Sequence, residues 1–378
     1  MRAPAAGNPA RSRNLARPPG SCHLGCGQRL ASNIVIRLSV LDQSTIVSGR
    51  SADASIRESI ELAAHCETLG YRRYWLAEHH NTASQAGSAP EILIAAIAAR
   101  TRRIRVGSAG IMLPHYSSLK VAEQFRVLEA IAPGRIDLGL GRAPGSDGRT
   151  AFALNPLADT AADHFPSQVR DLLDWVRGRR LVEGHPFRDI RAEPAGPTAP
   201  EIWILGSSDY GAQVAAYFGL PFCFAHFITD GAGADAALAL YRQNYRPSER
   251  HPEPHAALCV WALAADDAEA AERLFSSRAL WRLGRDRGVF VPLPTPEEAA
   301  AYPYTEAERD RVVRLRERSF YGTAAAVGAR LRALAATHAV SEVAILTTVH
   351  DPDARRRSYG LLAAEFGLQP QPVSLAAD

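Results

Sequence analysis

The chain has 378 residues, 47% hydrophobic and 22% charged, enough to bury a large core within the size range of single α/β barrels. Its formal charge of +3 comes from the start: residues 1–33 hold Arg2, Arg11, Arg13, Arg17 and Arg29 with no Asp or Glu, and the remaining 38 basic and 40 acidic residues leave a body near −2. That balance argues against nucleic acid or an anionic membrane as partner, since either needs clustered basic contacts.

No apolar run approaches the roughly 18 residues of a spanning helix, and the Arg/Pro-rich start lacks the apolar stretch of a signal peptide. The five cysteines, Cys22, Cys26, Cys66, Cys223 and Cys259, are scattered and odd in number, unlike a disulfide scaffold. A reducing cytoplasm is the expectation. Cys22 and Cys26 with His23 match no strong metal-ligand spacing, so no metal is expected.

Residues 1–33 lack periodicity and read as a disordered extension; residues 34–378 read as one domain. Short β-rich runs there alternate with helical patterns, the rhythm of parallel strands joined by crossover helices. The first unit is a strand at 37–41 and a helix at 54–69 closed by Gly70. The second is a strand at 73–77 and a helix reaching Arg100, started by Ser88, Pro90 and Glu91. The third is a strand at 104–112 and a helix at 117–131, ended by Pro133 and Gly134. A fourth strand at 135–140 is followed by a long connection, then a helix at 166–177 and a Pro-rich excursion to Pro200. The fifth strand spans 201–205, with a helix at 210–218; the sixth spans 221–227, with a helix at 234–245; the seventh spans 256–264. A charged stretch at 266–336, broken at Pro292, Pro294, Pro296 and Pro303, holds the seventh helix and an insertion at about 276–321. The eighth strand, 342–348, precedes a last helix at 354–366. Eight units favour closure into a (β/α)8 TIM barrel with an insertion before strand eight, although the count is compatible with an open doubly wound sheet.

Catalytic groups in such barrels sit at the carboxyl ends of the strands. Those ends carry Asp42-Gln43-Ser44, Glu78-His79-His80, Ser108-Ala109-Gly110, Gly141-Arg142, Gly206-Ser207-Ser208 and His226. An imidazole beside a carboxylate suits acid or base work near neutral pH, and consecutive residues of an extended segment point to opposite faces, so one histidine faces the cavity while the other supports it. A solvated loop with two hydrogen-bonded histidines explains the triplet equally well. Gly206-Ser207-Ser208 before a helix offers N–H groups and hydroxyls to an anion, or simply caps the helix. Arg142 adds a guanidinium suited to phosphate, or a structural ion-pair partner. Ser108-Ala109-Gly110 leaves room for a ring system against the backbone, or marks a β-bulge. No Walker motif, dinucleotide fingerprint or nucleophile elbow is present.

The segments Trp75-Leu76-Ala77-Glu78-His79-His80, 106–115, Lys120-Val121-Ala122-Glu123-Gln124, 133–142, Leu205-Gly206-Ser207-Ser208 and Ala225-His226-Phe227 together resemble the bacterial-luciferase-like, flavin-dependent monooxygenases, whose fold is a (β/α)8 barrel. The resemblance spans about 35–370. It implies reduced FMN bound at the barrel mouth and reacting with O2, through a flavin C4a-peroxy species, to oxidise a small organic substrate. It makes the residue at His79 a catalytic or substrate-orienting imidazole near the flavin, with Glu78 beside it. It places a non-proline cis peptide at Ala109-Gly110 under the ring, with Ser108 and His226 among the cofactor's surroundings, and gives the phosphate to Arg142, Ser207 and Ser208. The missing nucleotide fingerprint implies that a separate flavin reductase transiently supplies reduced FMN, and relatives that pair through barrel helices imply a homodimer. Luciferase proper has a reactive cysteine where this chain has Gly141 and a glutamate where it has Ser207, which argues for the plain oxidoreductase branch over light emission. Two alternatives are a deazaflavin-dependent hydride-transfer enzyme of the same fold and a non-catalytic flavin-binding protein.

Overall fold

The computed structural model describes residues 35–142 and 146–370. The extension at 1–33, with Cys22, His23 and Cys26, and the part of the glycine-rich segment at 143–145 lie outside the described residues.

Among the described residues ten strands form in chain order: β1 Arg37–Asp42, β2 Arg73–Leu76, β3 Arg105–Ser108, β4 Ile111–Met112, β5 Ile136–Gly141, β6 Glu201–Gly206, β7 Phe222–Phe224, β8 Ala256–Ala265, β9 Phe320–Thr323 and β10 Glu342–Leu346. Every pairing among them is parallel, and β10 pairs with both β8 and β1, so the sheet closes. With β3 and β4 as one interrupted strand and β9 outside the ring on the far end of β8, the fold is an eight-stranded TIM barrel.

The crossover helices are Ala52–Leu69, Pro90–Arg100, Ser118–Ile131, Phe165–Val176, Asp209–Phe218, Ala234–Gln243, Ala324–Thr337 and Pro352–Glu365. The first ends at Gly70, whose φ of 90° is left-handed and whose N–H reaches the Cys66 and Glu67 carbonyls. A Cβ there would lie 2.4 Å from the Gln369 carbonyl oxygen, so glycine meets both demands.

The two-residue period of the strands sorts the core into an outer and an inner cluster. In β8, Leu258, Val260 and Ala262 face the helices, while Ala257, Cys259, Trp261 and Leu263 face inward to meet Trp75, Trp203 and Leu346. Cys66, Cys223 and Cys259 are free and buried. Among the described residues no helix is long and apolar enough to cross a membrane.

The floor of the barrel is ionic. Arg73, at the start of β2, reaches Asp137, Glu201 and Glu342 at 2.8 to 2.9 Å, and Arg105 adds a second guanidinium to Asp137. Ser39 and the Trp75 indole N–H donate to the same carboxylates. Burial alone would raise the Glu342 carboxyl, but Arg73, helped by His255 and Ser39, holds it well below the usual range.

Two strands differ from the sequence expectation. The run at 104–112 divides because Gly107 pairs with Asp137 while Ile111 pairs with Leu140, four steps against three. One extra residue is therefore bulged out at Ala109-Gly110. The sixth barrel strand stops at Phe224: the Ala225 N–H makes the last ladder bond, to the Gly206 carbonyl, and the chain then enters the helical turn His226–Thr229. Between β8 and the Ala324–Thr337 helix lie the helices Ala268–Asp286, Pro296–Ala301 and Glu306–Arg318, then β9.

Candidate active site

The carboxyl ends of the strands open on a cavity of about 540 Å3. Around it stand Gln43 after β1, Glu78 and His79 after β2, Ala109 and Gly110 in the bulge, Gly141 and Arg142 at the end of β5, and Gly206, Ser207 and Ser208 at the end of β6. Leu41, Trp75, Leu205, Cys223 and Cys259 form apolar walls below them.

Alternation explains how Glu78-His79-His80 divides its labour, since Glu78 and His80 share one side and His79 takes the other. The fully buried Glu78 carboxylate accepts from His80 Nε2 at 2.8 Å and the Tyr116 hydroxyl at 2.7 Å on Oε1, and from the Met112 N–H at 3.0 Å on Oε2. It is occupied in tying β2 to the segment after the bulge. His79 lines the cavity, and its buried Nδ1 has no hydrogen-bond partner. Burial, then the nearby charge of Arg285 and then His80, push its pKa down to about 4, so at neutral pH the ring is uncharged.

Arg285, on the helix Ala268–Asp286, was not singled out from the sequence, where it is one arginine of a charged stretch. Its guanidinium packs over Trp281 and Phe290, 4.7 and 5.0 Å from the ring centroids, and donates to Ser84 and Gln85 only at 3.4 Å. It lines the cavity opposite the strands.

Ser207 and Ser208 precede the helix Asp209–Phe218, and Ser208 occupies its N-cap without a side-chain capping bond. Capping therefore does not consume that hydroxyl. Arg142 is exposed, with its guanidinium 4.1 Å from the Tyr210 ring centroid, and no carboxylate pairs with it among the described residues. A guanidinium, two hydroxyls and the positive end of a helix thus share one wall.

The peptide between Ala109 and Gly110 is cis. Ser108 does not line the cavity: its hydroxyl donates to the Gly139 carbonyl at 2.9 Å and accepts the Gly139 N–H at 3.0 Å, pinning β3 to β5 just before the bulge. A Cβ at Gly139 would sit 2.1 Å from the Ser108 carbonyl oxygen, so this close approach requires glycine. His226 is also turned away from the cavity, its ring 5.8 Å from that of Phe320 and backed by Gly231, while its neighbours Ala225, Phe227 and Ile228 form the wall. The helical turn that ends β7 early rotates it outward.

The model of the luciferase-like monooxygenases matches residues 36–348. The chain belongs to that family. A luciferase-like monooxygenase of Escherichia coli strain K12 is 40% identical over 327 residues, 86% of this chain and 96% of the relative. An N-acetyl-S-alkylcysteine monooxygenase of Bacillus subtilis strain 168 is 36% identical over 332 residues, 87% of this chain and 98% of the relative. Among solved structures, apo-MsnO8 superposes with a TM-score of 0.81 at 35% identity, covering 89% of this chain and all of that one. In this luciferase-like monooxygenase, the matched region contains every residue placed at the cavity.

Proposed function

We propose that this luciferase-like monooxygenase binds reduced FMN in the cavity at the barrel mouth and uses it with O2 to oxidise a small organic substrate. The observation that carries the reading is one cavity lined by both an anion site (Arg142, Ser207, Ser208 and the Asp209–Phe218 N-terminus) and the bulge at Ala109-Gly110 beside an uncharged His79. The residues fit FMN on grounds of their own: Arg142 lacks a carboxylate partner among the described residues, the Ser208 hydroxyl makes no cap, and His79 Nδ1 is unpartnered.

Arg142, Ser207 and Ser208 would hold the phosphate dianion through charge-assisted hydrogen bonds. The small residues of the bulge would admit the ring, and Leu41, Trp75 and Leu205 would exclude water from it. Reduced FMN, when bound, supplies the oxygen-activating chemistry. His79 lines the cavity uncharged with its Nδ1 buried, so a hydrogen bond or a proton from substrate would be taken at Nε2. Glu78 is a positioning residue, because its lone pairs are taken by His80, Tyr116 and the Met112 N–H. The absence of a nucleotide fingerprint supports a separate reductase as the source of reduced flavin.

Anaerobic titration with reduced FMN followed by rapid mixing with O2 tests the reading. The expected result is saturable FMN binding and a transient absorbance unlike that of either reduced or oxidised flavin. His79→Ala is expected to bind FMN as well as the parent but to lose about 100-fold or more in substrate oxidation. Failure to bind FMN, or preferential binding of a deazaflavin with hydride transfer that needs no oxygen, would overturn it.

A further inference from the structure

A second cavity, of about 240 Å3, shares Gln43, Phe227, Ile228 and Arg285 with the first. Its cations come from one face of the helix Ala268–Asp286, where Arg278, Arg282 and Arg285 follow at spacings of four and three. Their partners differ sharply. Arg282 is matched: it donates to Asp286 at 3.0 Å and to the Phe227 and Ile228 carbonyls at 3.2 and 3.1 Å. Arg278 has its guanidinium 4.0 Å over the Trp261 ring and, among the described residues, a single hydrogen bond, 3.0 Å to the Ser319 hydroxyl, and no carboxylate.

The other buried arginines show how unusual that is. Arg73 has three carboxylates, and Arg126 and Arg135 each donate to at least three oxygens at 3.2 Å or closer, carbonyls apart from one hydroxyl. Arg278 is equally buried, at 5% exposure, yet most of its fork has no acceptor. Burial, and then Arg282, lower its pKa to about 9, which still leaves it charged at neutral pH. Around it, among the described residues, the guanidiniums of Arg282, Arg285 and Arg311 face the carboxylates of Asp230 and Asp286, so the positive charge is in surplus. Trp261, on the same cavity, carries a buried indole N–H without an acceptor. An uncompensated buried charge is costly unless a ligand completes it.

We propose that the second cavity is the recognition site for the substrate and receives the carboxylate of a carboxylic acid with an apolar body, Arg278 holding the carboxylate in its fork and Arg285 adding charge at the passage between the cavities. Trp281, Phe227, Phe290 and Leu346 supply the apolar contacts for the body. Arg, rather than Lys, suits a planar two-oxygen acceptor. The assignment rests on the flavin reading only in directing the part of the substrate to be oxidised toward the first cavity.

Calorimetric titration of the FMN-loaded protein with phenylacetate, and with its neutral analogue phenylacetamide, tests the assignment. The parent is expected to prefer phenylacetate by ten-fold or more. Arg278→Met should reduce the preference to within two-fold with FMN affinity unchanged, and Arg285→Met, at a half-buried position whose loss does not hollow the core, should lower it at least three-fold. Equal binding of the two probes by the parent, or an undiminished preference in either variant shown to be folded by circular dichroism, overturns the proposal. The same titrations without FMN separate the two readings. A preference that persists in a protein unable to bind FMN removes the flavin reading and leaves this one, whereas FMN binding without discrimination between the probes does the reverse.

Discussion

The two ends of the barrel interior are both polar, but they are polar in different ways. At the floor, Arg73 and Arg105 face Asp137, Glu201 and Glu342, Ser39 and Trp75 donate to carboxylates among them, and Glu342 Oε2, which accepts no hydrogen bond, lies 3.4 Å from His255 Nε2. At the mouth, among the described residues, His79 Nδ1 lacks a partner, Arg142 and Arg278 lack carboxylates, and Ser208 leaves its helix uncapped. A matched set of charges holds a fold together. An unmatched set is expensive to the protein alone and makes sense where another molecule completes it.

The largest expected effect comes from breaking the matched end. Arg73→Met leaves three carboxylates facing one another without their central cation, and urea unfolding should read a loss of about 3–5 kcal/mol. At the mouth the pattern should invert. Arg142→Ala is expected to leave stability within about 0.5 kcal/mol of the parent, while FMN affinity by fluorescence titration falls roughly 10- to 100-fold, as loss of one charged contact predicts.

A smaller effect concerns protons. His79 should titrate by NMR near pH 4, and Arg285→Met should move its midpoint upward by removing a nearby positive charge. An unfolded histidine titrates near 6.5. The unfolded chain therefore binds the proton first, and the stability linked to His79 is complete above pH 6.5 and is lost as the pH falls toward 4. In His79→Ala the loss of stability over that window should be shallower. The smallest effect is a pair of cap substitutions. Thr305→Ala removes a hydroxyl that accepts the Glu308 N–H in a complete capping box and should cost about 1 kcal/mol. Ser208→Ala should cost no stability and weaken FMN a few-fold. Equal destabilisation by the two would undo the contrast between the ends of the barrel.

Much of this molecule is legible in its sequence. The strands at 37, 73, 201, 256 and 342 begin where the β-rich runs do, because each run is buried on both faces and closed by clear turn residues. The opposite facings of His79 and His80 follow from strand alternation alone. His226 reads as strand in its segment Phe224-Ala225-His226-Phe227, whereas the turn bonds from Ile228 to the Ala225 carbonyl and from Gly231 to the His226 carbonyl take the chain out of the sheet, and only that turn decides which neighbour reaches the cavity. Ser108 sits in the right segment, yet its hydroxyl serves Gly139, a partner 31 residues away that no local pattern reveals.

The stretch between β8 and the Ala324–Thr337 helix was the least readable. Thr295 with Glu298 and Thr305 with Glu308 do spell two capping boxes, a local signal available in the sequence. That Arg278 lacks a carboxylate while Arg282 has one depends on Asp230, from the loop after β7, and Asp286, and on how three elements meet.

The helix Ala268–Asp286 supplies every cation of the second cavity, yet it belongs to neither the ring of strands nor the set of eight crossover helices. Of Arg278, Arg282 and Arg285, among the described residues only Arg282 holds backbone at the first cavity, through the Phe227 and Ile228 carbonyls after β7. A lineage could therefore exchange one substrate for another by rewriting positions 278 and 285 on a peripheral helix and keep the chemistry-bearing chassis unchanged. Libraries randomised at those two positions offer the shortest laboratory route to the same exchange.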